Sequence, residues 1–304
     1  MDTARLRLSG THSAGQLLAL VLGLCAAACR GDPDSIVLGA TTSTYDSGLL
    51  EHLISRFNDE HPEVRVRTVI QGSGEALRLG RSGDVDLLLV HAPEAEARFI
   101  AEGYAPRRRS VMYNGFVIAG PPGDPARVGD AGSAAEAFAR IAGGGHGFVS
   151  RGDSSGTHYR ELRLWREAGL TAAGPWYIES GQGQATTLHV ASEREAYVLT
   201  DGATFTVLAR VLDLEALVVD HPSLRNVYSL LEPRAALRPV QASVFAAWLL
   251  SDDGLRAIAE FRVPGEDGPV FMPRTAEEVE GGLPAAADSV RGSAARGSPA
   301  HYVG

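Results

Sequence analysis

Residues 150–158 (Ser-Arg-Gly-Asp-Ser-Ser-Gly-Thr-His) combine small hydroxyl side chains, glycines and one arginine, which is the composition of an anion-binding loop. A short strand-like stretch, residues 147–149, precedes this run, and a helical pattern, residues 159–168, follows it. The N–H groups at the start of a helix, the positive end of its dipole and an arginine would all act on one point. The segment therefore predicts an anion site and leaves open whether the anion is bound or chemically transformed.

Two other segments have the same design, residues 41–44 (Thr-Thr-Ser-Thr), which we expect to be a loop, and residues 72–74 (Gly-Ser-Gly). Each lies where a predicted strand gives way to a helix. In an open parallel sheet these points lie at the carboxyl ends of the strands, where ligands bind. The simpler alternative is that such residues only cap helices or form turns. Asp46 and Ser47 are the expected caps after the first segment, which leaves the hydroxyls before them free for a ligand.

Strand-like and helix-like patterns alternate through the body of the chain, which predicts an α/β protein with mostly parallel sheets flanked by helices. Apolar runs at residues 111–119 and 227–231 are expected to cross between two lobes. A ligand between the lobes would touch all three hydroxyl-rich segments. The expected boundaries are residues 36–115 and 228–274 for the first lobe and residues 116–227 for the second.

The two ends of the chain differ from its body. Two arginines precede an apolar run too short to span a membrane, so residues 1–28 are predicted to be a signal peptide. Small residues before Cys29 resemble a bacterial lipoprotein signal, in which this cysteine is acylated; an ordinary cleaved signal is the alternative. Residues 29–35 form the expected linker, and residues 275–304, rich in small and polar side chains, are expected to be disordered.

Charge and composition exclude several classes of partner. The net charge of −9 argues against nucleic acid or an anionic membrane surface as the main partner. The nine histidines are scattered without the spacing of metal ligands, so neither a protein-bound metal nor a cofactor is predicted. Both cysteines, Cys25 and Cys29, lie near the N-terminus, and the exported body is therefore expected to lack an internal disulfide.

Residues 152–156 (Gly-Asp-Ser-Ser-Gly) also resemble, superficially, the nucleophile region of trypsin-like proteases. Ser154 and His158 would then be candidates for nucleophilic catalysis. Those enzymes are all-β proteins, whereas this pattern is α/β, and no set of nucleophile, base and orienting acid is evident. An exported serine hydrolase using Ser154 is therefore the lesser alternative, and we expect a protein that is not an enzyme.

As a whole, the chain resembles the tungstate-binding (TupA-like) proteins of bacterial ABC importers, within the type II periplasmic oxyanion-binding proteins. The resemblance is carried by residues 40–50, 86–94, 111–114, 150–158 and 181–183. It implies two α/β lobes joined by two hinge strands, with the ligand closed between them. It also implies a monomeric, periplasmic or surface-tethered receptor that delivers tungstate or molybdate to a permease and its ATPase.

Carried onto this sequence, the resemblance places the oxyanion at eight residues: Thr42, Ser43, Ser73, Arg151, Ser154, Ser155, Gly156 and Thr157. Four neighbouring positions are further candidates for contact: Thr41, Gly74, Gly183 and Thr186. The family usually has three threonines before the serine, and here the first of them is Ala40. If that hydroxyl touches the ligand, affinity or selectivity would differ from the family's.

The choice between oxyanions depends on Asp153. Tungstate is a fully deprotonated dianion at neutral pH and only accepts hydrogen bonds, so a pocket made of donors suits it. Phosphate keeps a proton and would benefit from a carboxylate, which makes a phosphate- or sulfate-type binding protein the alternative. We expect Asp153 to orient Arg151 or to cap the following helix instead, because a carboxylate in the pocket would repel a dianion.

Overall fold

The computed structural model describes residues 35–264, 266 and 268–274. The predicted signal peptide, Cys29, most of the predicted linker and the C-terminal tail lie outside these residues. Within the described part, no helix is both long enough and apolar enough to cross a membrane. The same part contains no group of three or more His, Cys, Asp or Glu side chains able to hold a metal ion.

The described residues form ten strands and ten α-helices. The strands are β1 (Ser35–Thr41), β2 (Arg65–Gln71), β3 (Leu87–Val90), β4 (Arg108–Gly120), β5 (Phe148–Ser150), β6 (Tyr177–Glu179), β7 (Tyr197–Asp201), β8 (Glu215–Val218), β9 (Arg225–Leu231) and β10 (Met272–Pro273). The helices are α1 (Thr42–Asp46), α2 (Leu49–Glu60), α3 (Ser73–Ser82), α4 (Pro93–Ala101), α5 (Ala134–Gly143), α6 (Gly156–Glu167), α7 (Gln184–Glu193), α8 (Gly202–Leu208), α9 (Pro239–Leu249) and α10 (Asp252–Glu260).

The strands follow the order β2-β1-β3-β9-β4-β7-β5-β6, and the long strand β4 belongs to two sheets, one in each lobe. Strands β1, β2 and β3 are parallel in the first lobe, as are β5, β6 and β7 in the second. Strand β9 pairs antiparallel with β3 and with the first half of β4, and β7 pairs antiparallel with the second half. Parallel pairing is therefore confined to three strands of each lobe.

Helices cover both faces of each sheet. In the first lobe, α2, α9 and α10 pack around Phe57 on one face, and α3 and α4 pack around Phe99 on the other. In the second lobe, α5 and α6 enclose Trp165, while α7 and α8 enclose Leu188 on the opposite face. The two-lobed α/β fold expected from the sequence is confirmed, and the proposed lobe boundaries stay predictions.

The expected loop at residues 41–44 is wrong, because α1 begins immediately after β1. The Thr44 hydroxyl donates to the Thr41 carbonyl at 2.8 Å, which closes a helical turn directly at the strand end. Asp46 ends α1 and does not cap α2, which begins after Gly48 in the left-handed conformation (φ 82°). The Ser47 hydroxyl accepts only a long hydrogen bond, 3.5 Å, from the Leu49 N–H.

Candidate functional site

Four helices begin at the cleft between the lobes: α1 and α3 in the first lobe, and α6 and α7 in the second. The residues before α1, α3 and α7 are Thr41, Gly72 and Gly183. None of these helices is capped by a side chain that accepts a hydrogen bond from a main-chain N–H of its first turn. The first turn of a helix has N–H groups without intrahelical partners and carries the positive end of the dipole. The cleft therefore collects the N-terminal ends of helices from both lobes.

The two lobes touch at these helix ends. The Gly74 N–H donates to the Ser154 carbonyl across the cleft, with 3.1 Å between nitrogen and oxygen. A Cβ atom placed on Gly183 would lie 3.7 Å from Cγ2 of Thr42 in the opposite lobe. The structure is thus a closed form, in which the two predicted halves of the site face each other.

Unpaired buried donors mark the interior of this cleft. Arg151 is 2 % exposed, and its Nε has no hydrogen-bond partner among the described residues. The hydroxyls of Thr42 and Thr157 and the amide nitrogen of Gln184 are buried donors and equally without partners there. Buried polar groups are nearly always paired, and an unpaired one costs about 1–3 kcal/mol. Their concentration at one cleft fits a ligand that accepts hydrogen bonds.

Gln184 belongs to the segment at residues 181–187, a candidate contact of the second lobe in the sequence, but it was not among the individual residues predicted for the site. Gln184 is the first residue of α7 and is fully buried. It directly follows the glycine-rich loop at residues 181–183. A polar side chain in that position could have been predicted from the sequence to contact the ligand, because the first turn of a helix that follows a strand faces the ligand side of the sheet.

Asp153 acts on Arg151, as the sequence indicated. One carboxylate oxygen contacts Nη2 of Arg151, and Oδ1 accepts the Ser155 N–H at 3.0 Å. The carboxylate therefore fixes the guanidinium and satisfies a donor just before α6. The Ser155 oxygen accepts the His158 N–H at 3.2 Å, and its own proton is still available to a ligand.

A chain of hydrogen bonds runs beneath the cleft from Asp201 to Ser43. A carboxylate only accepts, so the amide nitrogen of Asn226 faces Asp201, 2.8 Å from Oδ2. The Asn226 oxygen then lies 2.9 Å from Nδ1 of His91 and requires a proton on that nitrogen. Burial lowers the pKa of His91 to about 4, so the ring is neutral at pH 7 and its Nε2 is an acceptor, 3.3 Å from the Ser43 hydroxyl.

This chain occupies the Ser43 hydroxyl completely. Besides His91, the oxygen lies 3.1 Å from Oγ1 of Thr41 and 3.0 Å from the Tyr228 hydroxyl. The Ser43 proton is directed at His91, and the Tyr228 proton at Asp201, 2.6 Å away, so neither hydroxyl has a proton left for an anion. The backbone N–H of Ser43, in the first turn of α1, is the group left for an anion. Thr42 differs, because its hydroxyl is buried and unpaired.

The remaining predicted residues fall into two groups. Ser73 is buried, and its hydroxyl accepts the His91 N–H at 3.3 Å while keeping its own proton. Ser154 and Thr186 are exposed, and the structure does not bring their side chains into the buried cluster. Nδ1 of His158 accepts the Ser154 N–H at 3.0 Å, a contact with the main chain and not with the serine hydroxyl. A nucleophile activated by His158 has no support in this geometry.

Ala40, the departure from the family pattern, does not face the ligand side. Its side chain is 0 % exposed and lies in the apolar core of the first lobe with Leu38 and Leu89. A threonine at this position would have to place its hydroxyl in that core. The doubt raised by the missing hydroxyl therefore concerns packing and not ligand contact.

Glu161 lies beneath the strand that leads to Arg151. Its Oε1 accepts hydrogen bonds from Nε1 of Trp165 at 3.1 Å and from the Tyr177 hydroxyl at 2.7 Å. Burial raises the pKa of Glu161 to about 7 from a model-peptide value near 4.5. The protonated form is therefore favoured by folding, and the loss of that proton weakens the folded state.

We expect Glu161→Gln to gain stability over the wild type as the pH rises. With a folded-state pKa above the unfolded one, the wild type is destabilised between about pH 4.5 and 7, by about 3 kcal/mol in total. Glutamine keeps an acceptor oxygen and has no charge to lose. The difference in melting temperature between variant and wild type should grow from pH 5 to 8. The exposed Glu193→Gln should show no such trend, and a constant difference for Glu161→Gln would contradict the prediction.

The fold and the cleft define a solute-binding protein, and the chain belongs to the PBP (periplasmic binding protein) superfamily, whose domain model matches residues 26–253. It is 34 % identical to the tungstate-binding protein TupA of Peptoclostridium acidaminophilum, over 89 % of this chain and 99 % of that protein. It is 40 % identical to a candidate anion-binding protein of a Haloferax volcanii ABC transporter, over 82 % of this chain and 74 % of that protein. The crystal structure of a tungstate ABC transporter protein from Geobacter sulfurreducens is similar, with a TM-score of 0.68 and 38 % sequence identity. The match covers 76 % of this chain and 100 % of that one.

Proposed function

We propose that this chain is an extracytoplasmic receptor that captures tungstate in the cleft and delivers it to an ABC importer. The observation that carries the proposal is the set of buried, unpaired donors from both lobes, with Arg151, Thr42 and Thr157 at its centre. Helix N-termini and charge-assisted donors suit a dianion that has no proton to give. The similarity to proteins named for tungstate binding supports the same ligand.

The engaged state of the nearby carboxylates favours tungstate over phosphate. Each carboxylate oxygen of Asp153 already faces a donor of the protein, Nη2 of Arg151 or the Ser155 N–H, so the side chain is oriented by these groups. Asp46 accepts a hydrogen bond from the Ala185 main chain, and burial raises the pKa of its carboxyl. Neither acid is thus placed as a free acceptor for protonated phosphate.

Delivery would require tethering and a partner. The predicted signal peptide and the acylation of Cys29 would anchor a monomeric receptor outside the cytoplasm, in contact with the membrane only through its lipid. Closure of the lobes around the anion would be the state that the permease recognises, and a cytoplasmic ATPase would drive uptake. Superfamily membership supports this arrangement of receptor, permease and ATPase.

Calorimetric titration tests the ligand directly. The purified protein is titrated with tungstate, molybdate, sulfate and phosphate under one buffer condition. We expect tungstate to bind most tightly or equally with molybdate, because the two ions have nearly the same size and charge. Tighter binding of phosphate, or no binding of any of the four, would remove the assignment.

Gly156→Ala is expected to weaken tungstate binding at least about tenfold while leaving the unliganded fold intact. The new Cβ would lie 2.4 Å from the His91 carbonyl oxygen and 2.6 Å from its Nδ1, across the cleft. The clash arises only when the lobes close. Gly143→Ala, at a site with nothing within 4 Å of the new atom, is the matched control. Wild-type affinity for Gly156→Ala would show that binding does not require this closed form.

A further inference from the structure

A second cavity, of about 60 Å³, lies between the lobes and is lined in part by His91. Its wall combines residues of both lobes and of the crossing strands: His91 after β3, Gly156 and Arg160 of α6, Phe116 of β4 and Arg225 of β9. Of the residues predicted for the oxyanion, Gly156 alone lines it. The cavity is therefore separate from the donor set around Arg151.

Three arginines line this cavity, and two of them lack an acidic partner. Arg163 pairs with Glu167 at 2.7 Å and, across the cleft, with Glu94 at 3.4 Å. Arg225 has no carboxylate within 4 Å among the described residues, and its guanidinium lies 3.9 Å from the centre of the Tyr113 ring. Positive charge is therefore in excess at the wall, in a protein whose net charge is −9.

Arg160 is the least satisfied of the three. Its Nε is buried and has no hydrogen-bond partner in the described part of the chain, and its guanidinium makes no ion pair there. Burial, and then the charge of Arg163, lower the pKa of the Arg160 guanidinium, while the charges of Glu167 and Glu94, neither of which forms an ion pair with it, act in the opposite direction. Buried charges are normally paired because isolated ones are costly. A counter-ion in the cavity would supply the missing partner.

We propose that this cavity is a second anion site, which takes a monovalent inorganic anion of chloride size when the lobes are closed. A cavity of about 60 Å³ has room for one small ion and accompanying water molecules. It is too small for an organic ligand. His91 cannot donate into the cavity, because its one proton is committed to Asn226. The arginines are therefore the groups that hold the ion.

Binding at this cavity is linked to closure. Its wall is complete only where α6 meets His91 and where Arg163 reaches Glu94 from the opposite lobe. An anion that neutralises the arginines stabilises that arrangement. Resting on the proposed function, the same closure favours tungstate, so chloride should raise the affinity for tungstate, and tungstate should raise the affinity for chloride.

The first experiment needs no tungstate. The melting temperature of the purified protein is measured while sodium chloride replaces sodium gluconate at constant ionic strength. We expect a saturable rise of the melting temperature for the wild type and for the control Arg166→Gln. Arg166 is an exposed arginine of α6, the helix that carries Arg160. The rise should be lost in Arg160→Gln and in Arg225→Gln. No saturable rise in the wild type, or an undiminished rise in both cavity variants, would overturn the proposal.

The second experiment measures tungstate affinity by calorimetry in chloride and in gluconate. We expect roughly fivefold or tighter binding in chloride for the wild type and equal affinities for Arg160→Gln. Weaker binding in chloride would mean that chloride competes inside the tungstate site and would overturn the proposal. If tungstate does not bind but the chloride effect on melting is present and depends on Arg160, the second site stands and the proposed function fails.

Discussion

Arg151→Ala should weaken tungstate binding roughly 10- to 150-fold, because hydrogen bonds to charged groups contribute about 1.5–3 kcal/mol each. Arg151 is almost fully buried, and its Nε lacks a partner among the described residues. The substitution also leaves the Asp153 carboxylate without its cation, so repulsion of a dianion adds to the loss. Isothermal titration with tungstate measures the effect.

Arg127→Ala is the matched control for this loss. Arg127 also pairs with a nearby aspartate, Asp130, but its side chain is 78 % exposed and lies away from the cleft. We expect it to bind tungstate as the wild type does. Arg151→Lys should fall between wild type and Arg151→Ala, because lysine keeps the charge and loses the planar fork. Wild-type affinity of Arg151→Ala would remove this residue from the site.

Asp201→Ala is expected to lower the free energy of unfolding by roughly 3–5 kcal/mol, the largest stability effect that we predict, because several buried donors lose their acceptor at about 1–3 kcal/mol each. Asp201 is 0 % exposed and accepts from the side chains of Asn114 at 3.0 Å, Asn226 at 2.8 Å and Tyr228 at 2.6 Å. Its Oδ1 also accepts the main-chain N–H of Ala203 at 3.0 Å. Removal of the carboxylate leaves the Asn114 amide nitrogen and the Ala203 N–H without this acceptor, whereas Asn226 keeps Asn114 and Tyr228 keeps Ser43 as a partner.

Chemical denaturation with urea, monitored by circular dichroism, measures this change. Asp253→Ala is the control, because Asp253 is exposed at the start of α10 and pairs only with a neighbouring arginine of the same helix. We expect a change within about 0.5 kcal/mol for the control. A loss of less than 1 kcal/mol for Asp201→Ala would show that the donors around it find other partners at little cost.

The parts of the fold that depend on local pattern were predictable. Buried strands followed by hydroxyl-rich turns indicated both the α/β architecture and the segments that meet at the cleft. The helix α1 was missed because a single turn of five residues has no periodicity to detect. It is stabilised by contacts such as the Thr44 hydroxyl on the Thr41 carbonyl, which are visible only in three dimensions.

The buried network could not be predicted from spacing. His91 and Asn226 are 135 positions apart, and Asn114 and Asp201 are 87 apart, so no motif joins them. His91, Asp201 and Asn226 are ordinary polar residues at strand ends when considered alone, and Asn114 is a polar residue in the middle of β4. Their meeting follows from the crossing of β4 and β9 beside β7, which is a property of the sheet order and not of any segment.

The sharing of β4 between the two sheets has a mechanical consequence. Its first half is bonded to β9 and its second half to β7, so the lobes are joined by continuous, hydrogen-bonded backbone. Opening is then an elastic bend of a paired ribbon, in which no ladder has to break. We expect amide protons of β4 to exchange slowly with solvent whether or not ligand is present, while those in the first turns of α3 and α7 gain protection only on binding. The connection between the lobes at β4 would thus stay rigid, while the helix N-termini that line the cleft remain mobile until the ligand binds.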